Sequence, residues 1–138
     1  MIEQIKEYFL NYPKIGDTSE IVTIDYLPKG TESYAIYSLG DVNGGWISKW
    51  LSEGGLKQFS FIFASRFVYS PVAVINIQNS NFYLDLQNWI EANNKKGIVP
   101  KVQGAIRVEV AQTGTLSLVD ESQALAEYQM AARLIYEI

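Results

Sequence analysis

Residues 127–138, EYQMAARLIYEI, set Tyr128, Met130, Ala132, Leu134 and Tyr136 on one side of an extended chain and Glu127, Gln129, Arg133 and Glu137 on the other. Alternation of this length fits a half-buried antiparallel strand and no helix, because only strand side chains change face at every step. It commits the chain to a sheet with one wet face and one face that something else must cover. Residues 57–68 (KQFSFIFASRFV) repeat the pattern, with Phe59, Phe61, Phe63 and Phe67 opposed to Ser60, Ile62, Ala64 and Arg66.

Two helical patterns supply the cover. Residues 2–12 put Ile2, Ile5, Phe9 and Tyr12 on one face, and Pro13 and Gly16 stop the run. Ser70 and Pro71 form a start signal, hydroxyl cap followed by a proline whose missing N–H does no harm in a first turn. The helix they open runs to Asn94, with a break near Asn79 to Asn81, and Gly97 ends it. Phe82, Leu86, Trp89 and Ile90 recur at packing spacing, and Asp85, Gln87 and Glu91 take the wet side.

The remaining runs are shorter. Residues 21–27 and 34–39 read as strands of a hairpin turning at Pro28, Lys29 and Gly30. Residues 105–111, with Ile106, Val108 and Val110 inward, and 115–119 read as two strands turning at 112–114, and 120–126 as a helical turn behind Asp120. Residues 40–55 (GDVNGGWISKWLSEGG) hold five glycines, two tryptophans and no steady period, which predicts a long loop with one helical turn around 47–52. With no repeat and no linker, residues 1–138 make one α+β domain, a mostly antiparallel sheet packed by an N-terminal and a central helix. A chain of 138 residues buries enough surface to hold such a fold without staples.

The chain has no histidine and no cysteine. That removes the usual general base, every thiol nucleophile and most zinc, iron–sulfur and haem ligand sets, so no catalytic, cofactor-binding or metal residue is assigned. The glycine pairs match no phosphate-binding pattern. Asp17 with Glu20 and Asp120 with Glu121 are the close acidic sets, and both fit turns or helix caps. Arg66 and Arg133 lie in strands, where pairing with an acid across the sheet is the ordinary use. The competing reading makes them part of a ligand-binding or catalytic pocket between sheet and helix.

Fifteen acids against eleven bases leave a net charge of −4, which disfavours binding to phosphate backbones or anionic lipid. Lys95, Lys96 and Lys101 read as a solvated helix end and loop. No apolar run approaches the roughly 18 residues of a membrane span, and MIEQIKEYFL lacks the order of a secretory signal, so the chain is expected to stay in the cytoplasm in which it is made. Trp46 and Trp50 in the glycine-rich segment are the least ordinary feature. Large aromatics on a connector suit interface anchors, and Asp41, Asn43, Trp46, Lys49 and Trp50 are the candidate contact residues.

The segment FIFASRFVYSPVAVINIQNSNFYLDLQNWIEANNKKGIVP (61–100), the GTLSL segment and the closing ARLIYE strand together resemble the small minor capsid proteins of phages of Gram-positive bacteria. That family is similar to the tail terminator, or tail completion, proteins of long-tailed phages. The resemblance spans nearly the whole chain and includes no catalytic motif. It implies a structural virion protein without cofactor, assembled in the host cytoplasm into a ring, usually a hexamer. The ring would cap the tail tube protein, stop tube growth and meet the head-tail connector or neck protein. Six copies at −4 each carry −24, and an acidic lumen would let DNA pass without specific binding. A neck or head-completion ring is the alternative within the virion.

Overall fold

The two alternating runs become the paired central strands of the sheet. The structure, a computed structural model, describes residues 1–15, 22–24, 27, 33–68, 73–120, 122 and 124–138, without the side chains of 68 and 73–79. Its elements are α1 (Ile2–Leu10), β1 (Val22–Ile24), β2 (Ser33–Ser38), a 3₁₀ turn (Val42–Gly45), β3 (Trp46–Lys49), β4 (Gly55–Val68), α2 (Ala73–Lys96), β5 (Ala105–Asp120) and β6 (Leu125–Glu137). The sheet order is β1-β2-β4-β6-β5, with β3 beside β4. The expected α+β fold with an N-terminal and a central helix is the one observed.

β4 and β6 pair antiparallel without a register slip from Leu56↔Glu137 to Val68↔Leu125. Thirteen successive pairs need both strands to alternate faithfully, because a one-residue slip would expose every buried side chain. Phe61, Phe63 and Phe67 of β4 and Tyr128, Met130, Ala132 and Leu134 of β6 are buried on that shared face. Ile5 and Phe9 of α1 and Phe82, Leu86 and Ile90 of α2 join them in one core. Phe9 sits edge-on to Phe61 at 5.7 Å and tilted on Phe63 at 5.0 Å, while Phe82 meets Phe67 edge-on at 5.0 Å. Such ring pairs add about 0.5–1.5 kcal/mol each beyond the area they bury.

α2 runs unbroken through residues 79–81, against the expected break. Asn81 is exposed there, so its weak helix preference is not compounded by a buried unmet amide. The helix stops at Gly97, at φ +74°, with Ile98 N–H bonded to the Asn93 carbonyl at 2.9 Å, as the sequence implied. The Ser70–Pro71 start signal lies outside the described residues.

Four further expectations are corrected. β1 and β2 pair in parallel (Val22↔Tyr34, Ile24↔Ile36), not as a hairpin, because apolar runs identify strands without their direction; the turn at 28–30 lies outside the described residues. Residues 105–120 form one strand, not two. The expected turn at 112–114 is absorbed as a bulge, since Gln112 faces Ala131 and Thr115 faces Gln129. Another bulge, between Ala105 and Arg107, throws Ile106 outward, where it is exposed instead of inward. Finally, 120–126 is no helical turn: Asp120 closes β5, Leu125 opens β6, and the Asp120 carboxylate accepts from Ser122 N–H (3.1 Å) and Oγ–H (2.6 Å) in the connection.

Candidate interaction surface

The glycine-rich segment expected to be a loop is instead a strand turn built on close backbone approaches. β3 pairs with β4 as Trp46↔Lys57 and Lys49↔Gly55, and Trp50 N–H closes the hairpin on the Gly54 carbonyl at 3.0 Å. Strand backbone over 46–49 replaces the helical turn expected around 47–52. Two glycines make this possible. A Cβ on Gly54 would overlap the Ile138 carbonyl, one on Gly55 the Ser48 carbonyl, and both have positive φ.

Asp41 ties this hairpin to the sheet. Its carboxylate accepts from Ser60 N–H at 2.9 Å, Ser60 Oγ–H at 2.5 Å and Gln58 Nε2–H at 3.0 Å. β2 ends at Ser38, so the Ser60 N–H has no strand partner there and the carboxylate takes its place. Asn43 is exposed in the turn with φ +54°, a conformation asparagine tolerates. Trp46 is half-buried, with the ammonium groups of Lys49 and Lys57 5.0 and 5.1 Å from its ring centroid.

Beyond Trp46 the hairpin turns apolar and wet at once. Trp50 is 44% exposed, Ile47 45% and Leu51 fully exposed. Ile138, also exposed, is held beside them by reciprocal backbone hydrogen bonds with Gly55 at 3.0–3.1 Å. Trp46 and Trp50 thus play different parts, one packed under two lysines and the other presented at the tip. Ile47, Leu51 and Ile138 were missed in the sequence. Without the strand register, nothing marks them as neighbours of Trp50.

The two strand arginines are each engaged by an acid on a neighbouring strand. Arg66 pairs with Glu127 directly opposite it. Arg133 donates to both Glu109 oxygens at 3.2 and 3.3 Å and to Gln58 Oε1 at 2.6 Å, and Arg107 also reaches Glu109 at 3.5 Å. With Asp41 and Ser60 these groups form a polar chain across the sheet. A cleft of about 590 Å³ opens beside it, between Gln87, Glu91 and Asn94 of α2 and the strands carrying Ser60, Glu109 and Arg133. Asn94 bridges helix and strand there, its Oδ1 accepting from Val108 N–H (3.1 Å) and its Nδ2–H donating to the Val108 carbonyl (2.7 Å). Beyond this cleft the aromatic core packs the helices on the sheet, and Arg66 does not line the cleft.

Among the described residues the perturbed titrations all belong to tyrosines. Burial pushes the Tyr8 hydroxyl up to about 12, opposed by the hydrogen bond from Asn93. Burial raises Tyr83 further, although its hydroxyl is bonded to Ser65 Oγ at 2.6 Å and to the Tyr128 carbonyl at 3.1 Å. Among the described residues no group of three or more acidic side chains could hold a metal ion, and no helix is long and apolar enough to cross a membrane. Asp120 serves its turn, while Asp17, Glu20 and Glu121 lie outside the described residues.

No known family model matches this chain, and neither a curated protein nor a solved structure does.

Proposed function

We propose that this chain is a structural virion protein, a tail terminator whose ring caps the tail tube and joins the tail to the head. The observation that carries the reading is the β3–β4 hairpin, a rigidly rooted arm that presents Ile47, Trp50 and Leu51 to solvent with Ile138 alongside. Exposed aromatic and aliphatic side chains on a fixed support are what a protein–protein contact needs, since little conformational freedom is lost on docking. The polar side chains of the cleft are spent on one another, Glu109 on Arg133 and Arg107, Asn94 on Val108. That arrangement suits a scaffold better than a ligand site. The sequence resemblance supplies the particular assembly, and the partners it implies are the tube protein and the connector or neck protein.

Deleting the gene from the phage that carries it should give tails of uncontrolled length. Tails of normal length on particles that fail to hold their heads would replace this reading with the neck ring, and wild-type particles would remove both.

A further inference from the structure

Asn43 alone among the asparagines precedes a glycine. An asparagine in that place is open to attack by its own chain. The next backbone nitrogen can close a five-membered ring on the side-chain amide, and glycine has no side chain to obstruct it. Both residues are exposed, a Cβ on Gly44 would meet only the Trp46 ring at 3.8 Å, and the Asn43 amide makes no hydrogen bond among the described residues. Yet the turn holds the reacting atoms apart. Asn43 (φ +54°, ψ +32°) and Gly44 (φ +64°, ψ +19°) are both left-handed, the mirror-image turn that Asn-Gly favours. At that ψ the Gly44 nitrogen lies nearly opposite Cβ about the Asn43 Cα–C bond, so ring closure requires almost half a turn about it. The ends of the turn resist such a rotation. Asp41 is held by Ser60 and Gln58, and Gly45 is buried so close to the Gln58 carbonyl that a Cβ there would lie 2.5 Å from its oxygen.

We propose that Asn43–Gly44 is a self-modification site latched by the fold: it deamidates when the hairpin root opens and is protected while the root is seated. In the open turn the Gly44 nitrogen attacks Asn43 Cγ. The N–Cγ bond forms, the Cγ–Nδ2 bond breaks, and ammonia leaves with the proton of the Gly44 amide. Water, the one co-reactant, then adds across either imide C–N bond and leaves an aspartyl residue or an isoaspartyl linkage at position 43. Both products add a negative charge near the Asp41 carboxylate, and the isoaspartyl form also lengthens the backbone by one carbon between two fixed ends. The lengthened turn must give up the Asp41–Ser60 bonds or the approach of Gly45 to Gln58. With them goes the support of the arm that presents Ile47, Trp50 and Leu51. The conversion runs one way, so a chain whose root opens often loses its arm with time.

Incubating the full-length protein in mildly alkaline buffer, folded or in urea, and mapping its peptides by mass spectrometry reads the conversion at each asparagine. Position 43 should convert roughly tenfold or more faster in urea than in the folded chain, and Gly44→Ala should slow it in urea. Asp41→Ala should accelerate conversion of the folded chain roughly tenfold or more, because three hydrogen bonds no longer hold the root. Ser60→Ala, a milder change that removes one donor, should accelerate it less. Asn94→Leu lowers stability at the α2–β5 contact and should leave the rate at 43 unchanged. In the isoaspartyl product, purified from aged protein, the Ser60 amide should exchange faster than in the Asn43→Asp variant, whose added charge is the same and whose backbone is not lengthened. Equal rates folded and in urea overturn the latch, and equal acceleration by Asp41→Ala and Asn94→Leu overturns the root as its seat. No conversion at 43 in urea overturns the site.

Discussion

Replacing Gly114 by alanine tests the architecture at the point where sequence and structure disagree most. If residues 112–114 formed an ordinary surface turn, alanine at 114, which has no positive φ, would be neutral or stabilise the fold by about 0.4–1 kcal/mol through the unfolded chain. In the structure Gly114 lies within β5, and an added Cβ would overlap Tyr83 at Cβ, Cγ and Cδ1, the root of the ring and not its mobile end. Tyr83 has nowhere to go. It is 3% exposed, anchored on α2, and fixed at its hydroxyl by Ser65 and the Tyr128 carbonyl. Overpacking of this kind costs about 1–3 kcal/mol, and displacing the hydroxyl from its partners adds about 1 kcal/mol per hydrogen bond lost. Gly114→Ala should therefore destabilise by about 2–4 kcal/mol, which in a chain of this size lowers the melting temperature by roughly 10 °C. Equilibrium urea unfolding measures it, and the same substitution in a Tyr83→Gly background should cost much less, because the obstructing Cβ and ring are both gone. A Gly114→Ala protein as stable as the parent would refute the strand reading of 112–114.

The remaining predictions use the same measurement or a close relative. Asp41→Ala strips three hydrogen bonds from the hairpin root and should cost about 2 kcal/mol, with faster amide exchange at Ser60 as the local sign. Trp46→Ala should lower the melting temperature of the isolated chain, whereas Trp50→Ala should leave it nearly unchanged and reduce incorporation into tails; the opposite pattern would sink the contact-arm role. Asn94→Leu leaves the Val108 N–H and carbonyl unmet and should cost about 1–3 kcal/mol, a loss that Asn94→Ala shares if water does not replace the amide. Tyr8 and Tyr83 have hydroxyls raised above their ordinary value near 10 by burial, so the unfolded chain gives up those protons first. Stability should hold below about pH 10 and fall as pH rises toward 12, with tyrosinate absorbance at these residues appearing only as the chain unfolds.

What could be read in advance was whatever a long uninterrupted pattern carried. β4, β6 and the packing face of α2 were legible because Phe61, Leu134 and Leu86 sit in runs whose period leaves one reading. β5 was not legible. Each of its bulges resets the alternation, so Ile106 and Val108, two apart, end on different terms with the core. β3 was hidden for a different reason: four residues among glycines offer no period, and the requirement for Gly54 and Gly55 comes from carbonyls of Ile138 and Ser48 that only the fold brings near. The candidate contact residues were found by type, but their division of labour depended on register. Asp41 looked like a partner-facing group and proves to hold Ser60, while Leu51 drew no attention and is the most exposed large hydrophobic side chain among the described residues.

The irregular ladder of β5 bears on a hazard every open sheet faces. From Ala111 to Leu118 almost the whole edge strand is exposed, Leu116 and Leu118 included, which is the kind of border onto which stray strands crystallise into aggregates. Yet β5 slips against β6 at four places, and its longest faithful stretch, Arg107 to Val110, is four residues. Within that stretch the Val108 backbone is already taken by the Asn94 amide. A straight intruding strand would lose step within a few hydrogen bonds, so this border can stay open at high local concentrations of the chain without inviting indiscriminate pairing.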